Sequence, residues 1–592
     1  MFSSDKWFGA SAGFYPETID QSARFNDDDN AYLNDTSPQS GNRRTFTISF
    51  WFKRSTLGTY QALYSAGTTG NYFTLVEISL DDTLWFYDYQ SSLQWVLKTN
   101  QVFRDTTNWY HLVFSVDTTQ ATASNRVKIY LNGSQITSFS TETYPSQNYD
   151  TFANSNITNN NISIGAFSNN LSATNYRFDG YLAEYNLIDG TALTPSSFGE
   201  TKNGVWIPKA ISGLTYGTNG FRLTFADSSN LGDDTSGNGN DFAVNGLAST
   251  DVVLDSPTNN FATALGDGLA EPSDYQSYNN PISSEGNLKI TAQTGWTNGS
   301  SNFGMTSGKW YAECRINAVA GSNYIRFGMR SRPARTYDEY FWTDNGGGQI
   351  DSTTSPYSSR VGTYSAGDIL QIALDLENNA LYFGKNGTWE NSATATEIAN
   401  GTVTNAFASG TTLIPNAGAD GDGHAYFFYC NPHPSGSNIT WNFGQDSSFA
   451  GLETAQGNSD SGDGTTDFYY TPPTGFLACN SVNLPDPTIG PNSSNGTASE
   501  FFNTVTYSGN GSNTHQITGV GFKPDWLWIK VRNQVGSHYL ADSSRGLGTG
   551  DSMRVLMTNG TIAEYSAEND QVRSFDTDGF TLDDNTDNTW YV

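Results

Sequence analysis

Two stretches of the chain repeat the same alternation of apolar and polar positions. In residues 111–136 and again in residues 369–389, apolar side chains occupy every second position of a run that ends on an aspartate. A second short apolar run follows each, and Asn-Gly pairs stand at 132–133 and 386–387. Alternation of period two is typical of a half-buried strand, and Asn-Gly favours a type I′ hairpin turn, which needs positive φ at both central residues. The pattern therefore predicts one kind of β-sheet module used twice.

The aspartates that end the two runs, Asp117 and Asp375, hold equivalent positions. Aspartate stabilises tight turns by accepting hydrogen bonds from the backbone that follows it. The shared position therefore favours a turn-stabilising role over an acid/base pair. The second copy has Gly384 and Lys385 as extra residues before its turn, and an even insertion leaves every side chain on its original face. We expect function in the loops that differ between the copies.

Short strand-like runs separated by turn residues continue along the whole chain, without a long stretch of helical period. The length of 592 residues, the 59 glycines and the 14% aromatic content predict several all-β sandwiches with well-filled cores. We predict an irregular arm (1–20), a first sandwich with a closing segment (21–260), a linker (261–284), a second sandwich (285–452), a linker rich in Gly, Ser and Pro (453–498) and a further β-rich domain (499–592).

Two of these boundaries leave alternatives open. The polar loop at 233–242 either closes the first sandwich in permuted order or begins an incomplete second copy. The sequence stops at NTWYV, inside a strand-like run, so we expect the natural polypeptide to continue past Val592. The alternative is an authentic terminus on an edge strand.

The acidic composition restricts the classes of partner. A net charge of −30 opposes a nucleic-acid surface, which needs clustered Lys and Arg, and also opposes docking on an anionic membrane. We expect no membrane insertion, because no apolar run approaches the length of a span, and no secretory signal, because the N-terminus lacks an apolar region. Cys314 and Cys430 lie in strand-like runs and are predicted to be buried thiols.

Four segments of the first sandwich resemble the signature strands of a laminin-G-like, concanavalin-A-like jelly roll, and together they span most of residues 22–200. This resemblance implies a two-sheet sandwich of a kind that also hosts glycanases. The segments are FTISFWFKR (46–54), WYHLVFSVD (109–117), VKIYLNGSQI (127–136) and FDGYLAEYNLIDGTAL (178–193).

The second sandwich resembles a SPRY domain, which is also concanavalin-A-like. GKWYAECRI (308–316), GDILQIALDLENNALYFGKNGTW (367–389) and WNFGQ (441–445) carry the resemblance. The predicted fold class is therefore all-β, with tandem concanavalin-A-like jelly-roll sandwiches, laminin-G-like and then SPRY-like, followed by a further β-rich C-terminal domain.

The order of the modules is similar to that of large structural proteins of tailed, particularly marine, bacteriophages. Phrases such as FGETKNGVWIPK, TSGNGNDF and GVGFKPDWLWIKVRN contribute to the resemblance. It implies a tail-fibre-like virion protein that is synthesised in the host cytoplasm and contacts the host surface. The expected partners are other virion proteins, a host-surface glycan or receptor, and further copies of the chain in a homotrimer. The alternative is a decoration or structural fibre protein.

We do not expect an enzyme. Glycoside hydrolysis needs two carboxyl groups flanking the bond, and the E-x-D-x-x-E run of laminarinase-type relatives is missing. Glu77 and Asp81 share a strand face without an acid between them, and Asp375 with Glu377 belongs to the turn described above. The G-x-S-x-G match at 9–13 lies in the irregular arm rather than between a strand and a helix. A glycan depolymerase is the third hypothesis.

One loop offers the oxygen ligands that Ca²⁺ requires, although Asp and Asn are also the ordinary residues of tight turns. Many laminin-G-like domains hold Ca²⁺ at a loop rim, so the resemblance implies Ca²⁺ as the cofactor to test. A second acidic run lies at 26–29. The candidate ligands are Asp227, Asp233, Asp234, Asn238, Asn240 and Asp241.

The segment TYDEYFWTDNGGG (336–348) places aromatic residues among Asp and Gly. Aromatic faces beside polar groups suit a sugar ring or a protein side chain, and the alternative is a strand with core aromatics. The candidate ligand-binding residues are Tyr337, Tyr340, Trp342 and Asp344.

Overall fold

The computed structural model is nearly all β, as predicted. The chain divides into two compact units, Met1–Pro485 and Asp486–Val592, and both predicted sandwiches lie in the first unit. The structure describes residues 14–36, 38, 40–68, 71–155, 161–167, 176–266, 282–293, 297–320, 325–332, 339–343, 348–351, 361–410, 425–462, 464–484, 498–510, 514–532, 535–546, 554–564 and 572–582.

The first sandwich packs two antiparallel sheets face to face. Its strands β1 to β18 span Ser22–Phe25, Tyr32–Asp35, Thr45–Arg54, Gln61–Thr68, Tyr72–Ile78, Thr83–Gln90, Leu93–Val102, Tyr110–Asp117, Val127–Leu131, Ser134–Gln135, Phe139–Thr143, Asn161–Ile164, Gly180–Asp189, Gly199–Lys202, Val205–Pro208, Phe221–Leu223, Ala243–Asn245 and Val252–Val253. The first sheet has the order β10-β9-β8-β3-β13-β1-β18, with β16 beside β13, and the second has the order β11-β7-β6-β5-β4-β12-β2-β17. Alternate residues of both sheets, such as Phe50, Trp95 and Phe114, meet in one core.

The second sandwich repeats this plan. Its strands β19 to β32 span Ala264–Gly266, Ile282–Ser284, Lys289–Thr291, Gly299–Ser301, Lys309–Ala318, Arg326–Arg332, Glu339–Thr343, Gly348–Asp351, Ile369–Asp375, Ala380–Lys385, Thr388–Trp389, Ala408–Ser409, Ala425–Asn431 and Asn438–Asn442. The two sheets have the orders β19-β22-β31-β24-β25-β26 and β20-β21-β32-β23-β27-β28-β29, with β30 beside β28. The thiols of Cys314, Cys430 and Cys479 are buried and unpaired with one another, as predicted for the first two.

Both predicted strand pairs are present, as β8–β9 and β27–β28, and the Asn-Gly pairs form the turns that follow, from β9 into β10 and from β28 into β29. Asn132 and Gly133 have φ of 45° and 80°, and Asn386 and Gly387 have φ of 50° and 79°. Positive φ at both central positions is what a type I′ turn requires. The alternation read from the sequence therefore fixes both the faces of the strands and their register.

The two strand-ending aspartates stabilise turns. Asp117 Oδ1 accepts hydrogen bonds from the Thr119 backbone N–H at 3.1 Å and from its hydroxyl at 2.6 Å. Asp375 Oδ1 accepts from the backbone N–H groups of Glu377 at 3.0 Å and Asn378 at 2.9 Å. The equivalent positions in sequence thus reflect equivalent roles in the scaffold.

The loop at 233–242 belongs to the first sandwich. The strand before it, β16, pairs with β13, and the strands after it, β17 and β18, pair with β2 and β1. Of the two alternatives, the permuted closing segment is therefore the one that the structure describes.

The structure differs from the sequence analysis at both predicted linkers. Residues 264–266 of the first linker form β19 and residues 282–284 form β20, so both belong to the sheets of the second sandwich. Residues 464–484 of the second linker pack on the second sandwich through the fully buried Phe468 and Phe476. Glu313 anchors this segment, because its carboxylate accepts from the backbone N–H groups of Tyr469 and Tyr470 at 2.8 and 2.7 Å.

Buried ion pairs join the two sandwiches. Lys53 and Asp255 have fully buried side chains and lie 2.7 Å apart, Nζ to Oδ2. Lys53 Nζ also donates to Asn260 Oδ1 at 2.8 Å and to the Phe261 carbonyl at 3.1 Å, and the Trp109 indole N–H donates to Asp255 Oδ1 at 3.0 Å. A buried charge is tolerated only when it is paired and hydrogen-bonded. These contacts therefore fix the segment that leads from one sandwich to the next.

A second junction contact centres on Arg24 of β1. Its buried guanidinium donates to Asp251 at 3.1 Å and to Asp446, beyond the last strand of the second sandwich, at 2.8 Å. Glu285 lies 3.6 Å away. Three carboxylates from distant parts of the chain thus converge on one cation.

The described residues of the second unit form two small sheets, β33-β38-β37 and β34-β35-β36. Its strands β33 to β38 span His515–Thr518, Trp526–Lys530, His538–Asp542, Val555–Met557, Val572–Asp576 and Gly579–Leu582. One face of β34 packs Leu527 and Ile529 against the small core, and the other leaves Trp526 and Trp528 exposed by 43% and 58%.

Helices are short and few in the part of the chain that the structure describes. The α-helix α1 spans Ala395–Ala399 and begins at a capping box formed by Thr394 and Glu397. Short 3₁₀ turns occupy Asp27–Asp29, Ala123–Asn125, Pro195–Ser197, Ser249–Asp251, Glu390–Ser392, Val403–Asn405 and Ala498–Glu500. None of the helices in the described ranges is long and apolar enough to cross a membrane.

The junction generates a stability prediction. Lys53→Met leaves Asp255 as a buried carboxylate without its ammonium partner, so we expect a loss of about 3–5 kcal/mol. The matched control is Arg44→Met, because Arg44 pairs with Asp150 at 2.7 Å at an exposed site, where solvent screening makes an ion pair weak and the expected loss much smaller. Calorimetric melting of the full chain measures both, and equal shifts for the two variants would contradict the role given to Lys53.

Candidate functional site

The outer side of the second sheet of the first sandwich carries aromatic residues where a solvent-facing sheet usually carries polar ones. Phe73 of β5 and Trp85, Tyr87 and Tyr89 of β6 alternate with the core residues of the same strands. Tyr60, Phe167 and Tyr176 from the flanking loops contact this group. We call these seven residues, together with Glu77, the aromatic face.

The strand register builds this face. Phe73 lies opposite Tyr89, Leu75 opposite Tyr87 and Glu77 opposite Trp85. The rings of Phe73 and Tyr89 stack with centroids 5.4 Å apart, and Tyr60 stacks on Tyr176 at 5.1 Å. Tyr87, Tyr89 and Trp85 are half-buried, so parts of their rings remain accessible. Partly exposed rings on a rigid sheet suit stacking with a flat apolar surface such as one side of a sugar ring.

Glu77 lies beneath these rings and is 3% exposed. Burial raises the pKa of Glu77 from 4.5 to about 8, so its carboxyl group is protonated at neutral pH. The Tyr87 hydroxyl is 3.5 Å from Oε1, and Oε2 has no hydrogen-bond partner among the described residues. A buried polar atom without a partner is costly. The arrangement therefore leaves one polar atom inside an aromatic site with unused hydrogen-bonding capacity.

Asp81, the other acid considered with Glu77, has a different environment. Its carboxylate accepts from Lys98 at 2.7 Å and from the Thr83 hydroxyl at 2.5 Å, and these bonds lower the pKa of Asp81 to about 2. Lys98 Nζ in turn lies 4.7 Å from the centre of the Trp85 ring. The edge of the aromatic face thus carries an ion pair that can exchange hydrogen bonds with hydroxyl groups.

The predicted calcium loop proves to be a hydrogen-bonded turn. Both carboxylate oxygens of Asp234 accept from donors within the loop and β16, among them the backbone N–H groups of Arg222 and Asn240 at 2.9 Å each. Asp241 accepts from the Asp234 N–H at 2.9 Å, and Asp227 accepts from Ser229. The side-chain amides of Asn238 and Asn240 donate to the Gly220 carbonyl.

Calcium binding by the six predicted ligands stays a prediction; they are Asp227, Asp233, Asp234, Asn238, Asn240 and Asp241. Their described hydrogen bonds hold the closing segment in place, which is the turn role that Asp and Asn commonly have. In the part of the chain that the structure describes, no group of three or more His, Cys, Asp and Glu side chains could hold a metal ion. The second acidic run forms a 3₁₀ turn, in which the Asn26 side chain donates to Asp29 at 2.9 Å and to Glu285 at 3.1 Å.

The predicted ligand-binding segment is divided by the structure. Tyr340 and Trp342 lie in β25 and are 4% and 0% exposed, inside the core of the second sandwich. The Trp342 indole N–H donates to the Gly362 carbonyl at 2.7 Å. Tyr340 and Trp342 are therefore core residues of a strand, which was the alternative to ligand binding. Tyr337 and Asp344 lie outside the described residues, and their role in ligand binding remains a prediction.

The sequence carries a signal for the aromatic face in strand β6. In LWFYDYQ (84–90), Leu84 and Phe86 face the core, yet Trp85, Tyr87 and Tyr89 on the other side are also aromatic. A strand with one solvated face normally alternates with polar residues. Aromatic residues at both sets of positions therefore mark a face with a further use.

Comparisons with known proteins agree with this fold. Residues 25–197 match the family model described as the concanavalin A-like lectin/glucanases superfamily. The first sandwich is a concanavalin-A-like jelly roll. Residues 497–591 match a domain of unknown function, DUF7483, and no curated protein matches the chain.

The solved structures to which the chain is similar have low sequence identity and low TM-scores. Domains LG4-5 of the mouse laminin alpha1 chain are 9% identical, with coverage of 72% of this chain and 90% of that one and a TM-score of 0.25. The SPRY domain of human HERC1 is 18% identical, with coverage of 26% and 87% and a TM-score of 0.19. The CBM40 of a Ruminococcus gnavus IT-sialidase, bound to alpha2,3 sialyllactose, is 15% identical, with coverage of 24% and 73% and a TM-score of 0.19.

The buried carboxyl group predicts a pH dependence of stability. Between the ordinary pKa of 4.5 and about 8, native Glu77 binds a proton that the unfolded chain has lost. The stability contribution of Glu77 is therefore full below that window and falls as the pH rises through it. Glu77→Gln removes the titration, so we expect the variant to gain stability relative to the parent as the pH rises, measured by calorimetry across this range.

The difference between the parent protein and Glu77→Gln reports the titration of Glu77 alone. Burial also raises the pKa of Asp179 and Glu313 to about 7, but both titrate in parent and variant alike. Glu200→Gln on the exposed strand β14 is the matched control. Parallel pH curves for the parent and Glu77→Gln would show that Glu77 is ionised in the native protein.

Proposed function

We propose that this protein is a non-enzymatic adhesin of a virus particle that binds a host-surface glycan through the aromatic face of its first sandwich. The observation that carries the proposal is the aromatic face itself, with the neutral Glu77 beneath accessible rings. Stacking on Tyr87 and Tyr89 would supply most of the affinity, and the Asp81–Lys98 pair would exchange hydrogen bonds with the sugar hydroxyls. The match of this sandwich to a lectin-containing superfamily supports the same class of ligand.

A serine beside a histidine could act as an activated nucleophile, and the described hydrogen bonds contain one such close contact. Its geometry supports the non-enzymatic part of the proposal. Ser49 Oγ lies 3.0 Å from His111 Nε2, and the Trp206 indole N–H donates to His111 Nδ1 at 3.0 Å. Indole is only a donor, so Nδ1 accepts and Nε2 carries the hydrogen that Ser49 receives. Burial also lowers the pKa of His111 to about 3. The nitrogen that faces Ser49 therefore already carries a hydrogen, so this imidazole does not act as a base for the Ser49 hydroxyl.

The virion part of the proposal rests on the resemblance of the sequence to structural proteins of tailed bacteriophages. A tail-fibre-like position, assembly with other virion proteins and homotrimerisation follow from that resemblance. Immunogold microscopy of intact particles tests the position. Label at the distal end of the tail supports host attachment, and label over the capsid supports the decoration role instead.

Binding to polysaccharide tests the proposed face directly. We expect the full chain to be retained by at least one polysaccharide of the host surface, and Tyr87→Ala and Tyr89→Ala to weaken retention roughly tenfold each, since each removes a stacking ring. Tyr72→Ala is the matched control, because Tyr72 is an exposed tyrosine of the same strand as Phe73 but outside the face. Affinity electrophoresis measures the change.

Two results would contradict the proposal. Retention that is unchanged in both tyrosine variants would place the ligand elsewhere. Release of reducing ends from the retained polysaccharide by the purified protein would show a depolymerase rather than an adhesin.

A further inference from the structure

A cleft of about 350 Å³ opens on the outer side of the first sheet of the first sandwich. We call it the junction cleft. Its lining includes the start of β8, the Asn-Gly turn after β9, the β14–β15 hairpin, Asn260 between the two sandwiches and Ser481 in the segment after the second sandwich. Ligand pockets commonly measure about 300–1,000 Å³, so the junction cleft is large enough for a small molecule. It lies on the opposite sheet from the aromatic face.

Three tryptophans line the junction cleft: Trp51, Trp109 and Trp206. The Trp109 N–H donates to the buried Asp255 and the Trp206 N–H donates to His111, both at 3.0 Å. Because these polar ends are already bonded inside the protein, what the rings present to the cleft is apolar; Trp51 and Trp109 are 5% and 9% exposed, and Trp206 is half-buried. Fixed aromatic walls of this kind cost little entropy when a ligand binds.

Glycines hold Trp206 in position from two sides. A Cβ at Gly133 would lie 2.4 Å from the Trp206 ring, and one at Gly199 would lie 2.5 Å from it. Gly133 also has a φ of 80°, in the region that favours glycine. Trp206 therefore fits between two backbone segments without room for another side chain, which fixes the orientation of that wall.

The rest of the lining mixes apolar and polar residues and carries little charge. The Asp105 carboxylate already accepts from Thr107 and from the Asn108 amide, and Asn132 Oδ1 accepts from the His111 backbone N–H at 2.8 Å. No Lys or Arg is among the lining residues in the described ranges. Asn260 is held from three directions, because it accepts from Lys53 at 2.8 Å, donates its amide to the Thr107 carbonyl at 2.9 Å, and donates its N–H to Ser481 at 3.0 Å. The cleft is therefore complete only when the two sandwiches are joined.

We propose that the junction cleft is a second binding site, which takes a short, uncharged saccharide. Aromatic walls would cover the apolar sides of the sugar rings, and the side-chain carbonyl of Asn108 and the side-chain NH₂ of Asn132 would bond the hydroxyl groups. The lack of cationic groups disfavours sialylated or other acidic sugars. The site does not depend on the proposed function, since it shares none of its lining with the aromatic face, and it would give one chain two separate saccharide contacts.

An array of defined uncharged and sialylated mono- to tetrasaccharides tests the proposal with the full chain. Trp206→Ala removes a wall, and Val205→Trp fills the cleft with an indole while keeping every aromatic wall. We expect the parent to bind an uncharged short saccharide, and each variant to weaken that binding roughly tenfold or more. Tyr89→Ala, on the aromatic face, is the matched control and should bind it as the parent does.

The outcomes separate this site from the aromatic face. Loss of short-saccharide binding in the cleft variants, with polysaccharide retention intact, supports two sites. If polysaccharide retention fails in every protein but short-saccharide binding depends on the cleft, the proposed function is wrong and the junction cleft stands. Absence of binding to all uncharged saccharides, or parental binding by Val205→Trp, overturns the junction cleft. Val205→Trp keeps the test valid if calorimetry shows that Trp206→Ala does not fold.

Discussion

The buried ammonium of Lys53 is the constraint on which the architecture of the first unit depends. A charge without solvent contact must find compensating groups, and here Asp255, Asn260 and the Phe261 carbonyl supply them. All three come from the segment that leaves the first sandwich. Because these groups must all reach the same ammonium, they fix the path of the chain from β18 to β19. Arg24, with carboxylates from both sandwiches, makes the same kind of contact.

This junction explains why the two sides of the first sandwich differ. Behind the first sheet, the junction segments and the β14–β15 hairpin cover the tryptophans and leave the junction cleft between them. Over the second sheet, the accessible rings of Tyr87 and Tyr89 remain above a carboxyl group that burial keeps neutral. One sheet thus offers a cleft between chain segments, and the other offers an aromatic face. A face suits a long polymer, and a cleft suits a short ligand or a chain end.

Much of the fold could be predicted because local patterns determined it. The alternation at 111–136 and the Asn-Gly turns specified strands, faces and register without any long-range information. The segment 464–484 could not be assigned in this way, since its few apolar anchors, such as Phe468, are spaced irregularly among turn residues and acquire meaning only against the second sandwich. Tyr340 and Trp342 were misread for a related reason: sequence shows an aromatic residue in a strand but not which neighbours bury it. The aromatic face required pairing β5 with β6 before its residues could be seen together.

A structure of the full chain with a retained host polysaccharide is the most direct test of the central claim. We predict sugar rings stacked on Tyr87 and Tyr89, with sugar hydroxyl groups within hydrogen-bonding distance of the Asp81–Lys98 pair. Binding of the polysaccharide at any other surface, with the aromatic face empty, would contradict the claim.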